Sequence, residues 1–238
     1  MHEQAEGGRR IAFFGGSFDP PHLGHIGIAR AAQKALELDT VLFVPVGTQP
    51  LKPLGATASF EDRVTMTELA INGLPQFAIS FADAPDPSGE PNYTIDTLHR
   101  LGAQFPSSKL FTLIGADSFL SLARWYRGAE IPFVAPLIVA SRPGQRLEDM
   151  AAVLPEGLTL HEDPQAAEAS VDSSLLVYTI HGEAARSAPF YLLPGLEIEI
   201  SASEIRRQAG TALDRLCAGH ELLPAAVCDY IEAHGLYR

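Results

Sequence analysis

Residues 10–25 read Arg10-Ile11-Ala12-Phe13-Phe14-Gly15-Gly16-Ser17-Phe18-Asp19-Pro20-Pro21-His22-Leu23-Gly24-His25 and set the architecture. The short apolar run 10–15 ends in glycines, which predicts a first strand. Residues 26–38 carry apolar side chains at helical spacing among good helix formers, so a helix follows. The same alternation continues outward. Residues 41–46 (VLFVPV), 109–115 (KLFTLIG) and 135–140 (APLIVA) read as strands. Residues 60–73 read as a helix with Met66, Leu69 and Ala70 on one face, and 93–105 as another. Strands alternating with helices imply parallel β-α-β units and an α/β fold. Ligands of such sheets sit beyond the carboxyl ends of the strands, at a topological switch point.

Composition narrows the function classes. The 238 residues carry 29 Asp+Glu against 17 Lys+Arg, a formal net charge of -12. A sequence-independent nucleic-acid binder needs a basic surface, and so does a protein held on an anionic membrane. Both are excluded as expectations. The 17 basic residues are 3 Lys and 14 Arg. Arginine is the planar, bidentate binder of phosphate and carboxylate, although a G+C-rich genome produces the same bias. No apolar run approaches the roughly 18–20 residues of a membrane span. The N-terminus lacks a hydrophobic signal core, which predicts a cytoplasmic protein. Cys217 and Cys228 have no C-x-x-C spacing, so neither a zinc site nor a disulfide is expected.

Proline, glycine and acidic residues thicken over 83–92, which reads as a surface loop or lid. Residues 162–189 are less regular and look like an insertion that adds a strand or hairpin around 174–180. The whole chain, 1–238, reads as a single domain ending in a small helical part from about residue 203.

Two constellations carry chemistry. In the first, Gly15 and Gly16 let the backbone turn sharply against a ligand. His22 and His25 are three apart at the start of a helix and share a face. Unpaired N–H groups at that helix start attract an anion, and either imidazole could carry a proton beside a polyphosphate. In the second, Ile200-Ser201-Ala202-Ser203-Glu204-Ile205-Arg206-Arg207 follows an alternating run, 196–200. Ser201 and Glu204 fit a capping box. Hydroxyls and N–H groups there can hold phosphate oxygens, and Arg206 can turn back onto the same anion.

The first string resembles the H-x-G-H signature of the nucleotidyltransferase superfamily, and the second resembles the I-S-S-T-x-I-R motif at the other end of that superfamily's site. Here Ala202 and Ser203 stand for the usual Ser and Thr. The resemblance implies a Rossmann-like doubly wound parallel sheet of the nucleotidyltransferase type. It implies transfer of a nucleoside monophosphate from a triphosphate, with Mg²⁺ bound mainly through ATP. The implied catalytic residues are His22, His25, Lys52 and Arg206. The implied phosphate and ATP contacts are Gly15, Gly16, Ser17, Phe18, Gly24, Gly115, Asp117, Arg142, Ser201 and Ser203.

Further stretches look like those of bacterial nicotinate-nucleotide adenylyltransferases. They are Tyr93-Thr94-Ile95-Asp96-Thr97-Leu98, then Ile114-Gly115-Ala116-Asp117-Ser118 with Trp125-Tyr126, then Ser141-Arg142-Pro143-Gly144, and the tail Leu222-Leu223-Pro224 to Tyr237-Arg238. The resemblance covers about residues 10–160 and 190–238. It implies ATP and nicotinate mononucleotide as partners, with Thr94, Trp125 and Tyr126 at the acceptor, and it is compatible with a homo-oligomer. A tryptophan can stack on a pyridinium for about 0.5–2 kcal/mol. Backbone donors facing a carboxylate would face the NH₂ of the nicotinamide analogue badly, so the acid is the expected acceptor. One departure stands out. The family reads P-P-H-K/R where this chain has Gln49-Pro50-Leu51-Lys52, so Leu51 replaces a histidine. Two alternatives stay open at this point: another acceptor (nicotinamide mononucleotide, phosphopantetheine or a polyol phosphate), or a nucleotide-binding protein with impaired catalysis.

Overall fold

The computed structural model describes residues 8–51, 55–141, 147–162, 175–194, 201–218 and 222–238. The strands are β1 (Arg10–Gly16), β2 (Thr40–Pro45), β3 (Phe77–Ile79), β4 (Lys109–Gly115), β5 (Leu137–Ala140), β6 (Thr159–Glu162), β7 (Leu176–His181) and β8 (Ser187–Leu193). The helices are α1 (Leu23–Ala35), α2 (Phe60–Ile71), α3 (Thr94–Gln104), α4 (Ala116–Phe119), α5 (Ile131–Val134), α6 (Leu147–Ala151), α7 (Ala202–Ala218) and α8 (Ala225–His234). The strands form one sheet in the order β3-β2-β1-β4-β5-β8-β7-β6. Every pair from β3 through β8 is parallel, while β7 pairs antiparallel with both β8 and β6. This is the expected α/β, doubly wound architecture.

Alternation along the strands explains why both faces are covered. Ala12, Phe14, Val41, Phe43, Phe111 and Leu113 join the core beneath α1, α2, α7 and α8. Their neighbours Ile11, Phe13, Leu42, Val44, Leu110 and Ile114 join the core beneath α3, α4 and α5. A strand buried on both faces reads as a continuous apolar run, which is why β1, β2, β4 and β5 were legible. β3 was not anticipated, because three residues carry no periodicity. The irregular 162–189 stretch supplies β7 and the start of β8, and β8 pairs parallel with β5 over Phe190–Leu193 on one edge and antiparallel with β7 on the other. The run 196–200 lies outside the described residues.

The C-terminal helices differ from expectation in one respect. Cys217 and Cys228 are joined as a disulfide, their Cα atoms 5.8 Å apart. Sequence spacing gave no sign of this, because the pairing is made by the packing of α7 against α8. No helix among the described residues is long and apolar enough to cross a membrane.

The strand order places β1 between β2 and β4, so the chain leaves β1 and β4 on opposite sides of the sheet. The crevice at their carboxyl ends is the topological switch point.

Candidate active site

A cleft of about 840 Å³ opens at that switch point. Its walls bring together segments nearly 190 residues apart: Gly15, Gly16, Ser17, His22 and His25 from the β1–α1 junction, and Ser201, Ser203 and Arg206 from the start of α7. Gly115 ends β4, Asp117 lies in α4, and Thr94, Trp125 and Tyr126 also line the cleft. Phe18 also borders it. Gly24 is buried inside α1 and is absent from the lining. Lys52 and Arg142 lie outside the described residues.

Neither Gly15 nor Gly16 has a positive φ. Both lie within β1, and the left-handed position of the turn falls on Phe18 (φ 46°). Space at Gly15 is limited: a Cβ there would come within 2.4 Å of the tip of the buried Phe13 ring, which would have to move. Phe18 is 1% exposed and packs its ring against Phe14, Phe43 and His25. Its role is therefore to back the second histidine, with no ring surface left for ligand.

His22 is the N-cap of α1, and its backbone N–H donates to His25 Nδ1 at 3.1 Å. The two rings stack with centroids 3.7 Å apart. A ring whose Nδ1 accepts carries its proton on Nε2, so neutral His25 is a donor from that nitrogen. Burial lowers the pKa of His22 to about 4. Burial, and secondarily the neighbouring His22, push His25 well below the usual imidazole range. The Nδ1 of His22 is itself buried without a partner, so no acceptor holds a proton there. Burial therefore favours the neutral form of both rings while the cleft holds no phosphate. The N–H of Leu23 is also taken, by Leu222 O at 2.9 Å, so this helix start offers fewer free donors than its position suggests.

Sequence reading missed the residues that hold this turn. Arg63 reaches from α2 and donates to Ser17 O at 2.7 Å and Val46 O at 2.8 Å. Asp19 is buried and accepts from Thr57 N, Ala58 N and Tyr237 Oη. An arginine inside a helical pattern and an aspartate inside a motif carry no mark of their distant partners.

At the other end, Arg206 donates Nη1 to Asp19 O at 2.6 Å and Nη2 to Ser203 Oγ at 3.2 Å. The carboxylate of Glu204 runs forward along the helix instead of back to the cap. It accepts from Arg207 and from Gln208 Nε2, and the first of these contacts is a surface ion pair. The capping-box expectation for Glu204 gives way to these downstream partners.

The acceptor wall is aromatic. Trp125 is half-buried and donates Nε1–H to Ser121 Oγ at 2.9 Å, which fixes the indole plane. Tyr126 is exposed and lies on Tyr93, ring centroids 4.5 Å apart. Thr94 opens α3 beside them. Leu51, the apolar residue at a position expected to be polar, is half-exposed at the cleft's edge. The 83–92 loop is pinned at both ends. Asp83 O accepts from Gly47 N at 2.7 Å, and Asn92 Oδ1 accepts from Thr48 N at 2.9 Å. Gly47 is required there, since its Cβ would stand 2.5 Å from Pro85 N.

Residues 13–208 match the cytidylyltransferase-like family. The chain is 37% identical over 231 residues to the protein named probable nicotinate-nucleotide adenylyltransferase of Gloeobacter violaceus, covering 97% of each. It is 36% identical over 234 residues to the protein of the same name from Thermus thermophilus, covering 96% of this chain and 100% of the relative. In shape it resembles the Plasmodium falciparum nicotinic acid mononucleotide adenylyltransferase solved in complex with NaAD, with a TM-score of 0.68. That match covers 96% of this chain and 97% of the other at 17% sequence identity, and speaks to the fold.

Proposed function

The chain belongs to the cytidylyltransferase-like family, among its nicotinate-nucleotide adenylyltransferases, and from that premise we propose how its cleft transfers AMP from ATP to nicotinate mononucleotide. The products are nicotinate adenine dinucleotide and pyrophosphate, a step in NAD biosynthesis. A 5′-phosphate oxygen of the acceptor forms the new P–O bond at the α-phosphorus of ATP. The bond to pyrophosphate breaks on the opposite side, so no covalent enzyme intermediate is needed. Such a reaction asks the protein for positioning and charge stabilisation more than for covalent chemistry.

The observation that carries this reading is the convergence of His22, His25, Ser203 and Arg206 on one cleft that Thr94, Trp125 and Tyr126 also line. The neutral histidines donate hydrogen bonds to phosphate oxygens without the cost of burying two like charges. Arg206 supplies fixed positive charge, and Lys52 adds to it. Gly15, Gly16 and Ser17 line the approach of the nucleotide, and Gly115 and Asp117 face its ribose side. Trp125 stacks on the pyridinium, and backbone donors at Trp125 and Tyr126 read the carboxylate.

Mg²⁺ suits this site as an ion carried by the triphosphate. Among the described residues no group of three or more His, Cys, Asp or Glu could cage a cation. The metal would neutralise charge across phosphate oxygens, with water and at most a single carboxylate such as Asp117 completing its shell. We place the reaction in the cytoplasm, where ATP is supplied.

The test is pyrophosphate release by the purified protein with ATP, Mg²⁺ and a panel of acceptors. Nicotinate mononucleotide is expected to support turnover and nicotinamide mononucleotide to support it far more weakly. His22→Ala is expected to lower kcat by about 10²-fold or more, the scale of losing a transition-state donor. Equal use of both acceptors would overturn the acid preference. ATP binding without turnover on any acceptor would overturn the enzymatic reading.

A further inference from the structure

Asp19 stands where an acid threatens the site. Its Oδ2 lies 3.7 Å from Arg206 Nη1, at the phosphate end of the cleft, and the carboxylate is almost fully buried. A carboxylate and a guanidinium this close ordinarily collapse to a bidentate contact at about 2.7–2.9 Å. An arginine so neutralised would have little left to offer a phosphate.

Both carboxylate oxygens are instead engaged by other donors. Asp19 Oδ2 accepts from Thr57 N at 2.7 Å. Asp19 Oδ1 accepts from Ala58 N at 3.1 Å and from the Tyr237 hydroxyl at 2.8 Å. Two of these donors are backbone and one is a side chain, contributed by the penultimate residue of the chain. Arg206 is left on the carbonyl oxygen of Asp19, a neutral acceptor that a charged phosphate readily displaces.

The tail is shaped to make this contact. Helix α8 ends at Gly235, which is left-handed (φ 61°). Gly235 N donates to Glu232 O at 3.2 Å and Leu236 N to Ile231 O at 3.0 Å, the two bonds of a Schellman turn. Tyr237 follows with φ 62°, a region that a bulky side chain seldom occupies. Such a residue is held by its surroundings, and here the hydroxyl's partner is Asp19. Burial first, then the charge of Asp19, push the phenol further up from its ordinary range, so the hydroxyl remains a donor at any working pH.

We propose that Tyr237 is a positioning residue for the reaction: its hydroxyl fixes Asp19 Oδ1, so the carboxylate cannot turn both oxygens onto Arg206, and the guanidinium stays free for the nucleotide's phosphates. This rests on the reading of the cleft as an ATP site. The test is a calorimetric titration of ATP with Mg²⁺ into the wild type, Tyr237→Phe, Arg206→Gln and the double variant. Tyr237→Phe is expected to weaken ATP binding about fivefold, the scale of one lost hydrogen bond. Arg206→Gln is expected to weaken it more. Because Tyr237 acts through Arg206, the double variant should bind no more weakly than Arg206→Gln alone. A merely structural role would make the two losses multiply.

Wild-type affinity in Tyr237→Phe, or multiplying losses, would overturn the proposal. A wild type that does not bind ATP would overturn the reading of the cleft instead, and that arm is read without any variant. Tyr237→Phe keeps the ring, and a chain lacking residues 237–238 provides a second variant without the hydroxyl, expected to show the same fivefold loss.

Discussion

His22 and His25 are bases placed where protonation is disfavoured. Burial takes His22 to about 4 and His25 well below its usual range, so the folded state binds fewer protons than the unfolded chain between the two pKa values. Stability therefore rises with pH in that window, and it is lost as pH falls from about 6.5 towards 4. His22 alone contributes a loss of about 3 kcal/mol once pH is below its folded value. Denaturant unfolding followed from pH 7 to pH 4 should show this slope, and His22→Gln should flatten it. An unaltered slope in the variant would place the acid sensitivity elsewhere. At this scale the histidines and Arg206 were legible, because the spacing of a motif is a local property. The neutrality of the imidazoles was not, since it depends on side chains such as Phe18 that close over His25 only after folding.

Among the elements, α2 does more than cover the sheet. Ser59 caps it, accepting from Asp62 N at 3.0 Å, and so sets the rotation of the helix. That rotation aims Arg63 at two carbonyls, one from the turn after β1 and one just beyond β2. Burial lowers the pKa of this guanidinium, which costs free energy that the two bonds offset. A lysine is a point donor and cannot bridge both carbonyls as the planar fork does. Arg63→Lys should therefore destabilise the protein by about 2 kcal/mol, read as a shift in denaturant midpoint at constant m. It should also weaken ATP binding, since the freed turn is the one that ends in His22. The helix itself was legible from its apolar face, with Met66 and Ala70 buried as expected. The purpose of its arginine was not, because a helical pattern shows which face is apolar and leaves the polar partner undetermined.

For the whole molecule, the acidic balance and the phosphate chemistry are compatible. A net charge of -12 would repel a long polyanion that reads an entire surface. A triphosphate in the proposed site would read only one cleft, where Arg206 and Arg124 stand beside Asp19, Asp83 and Asp117, and most of the chain's acids lie elsewhere. Duplex DNA titrated at low salt should therefore show no saturable binding, measured by fluorescence anisotropy, while ATP binds under the same conditions. Tight, salt-sensitive DNA binding would contradict the charge argument. The insertion also takes its meaning at this scale. Residues that looked irregular along the chain extend the sheet through β8 and β7, and β6 closes it antiparallel.

Local sequence is enough to specify the alternation of strands and helices, the glycine-rich end of β1 and the two motifs that bracket the cleft. These depend on neighbours a few residues apart, through side-chain periodicity and turn chemistry. Tertiary structure alone decided which residues meet. It joined Cys217 to Cys228 and pinned Asn92 to Thr48. It also brought Tyr237 back across 218 positions to Asp19. Such contacts form where a buried polar group must be paired and packing brings a distant segment within reach, a condition set by the packed core rather than by neighbours along the chain.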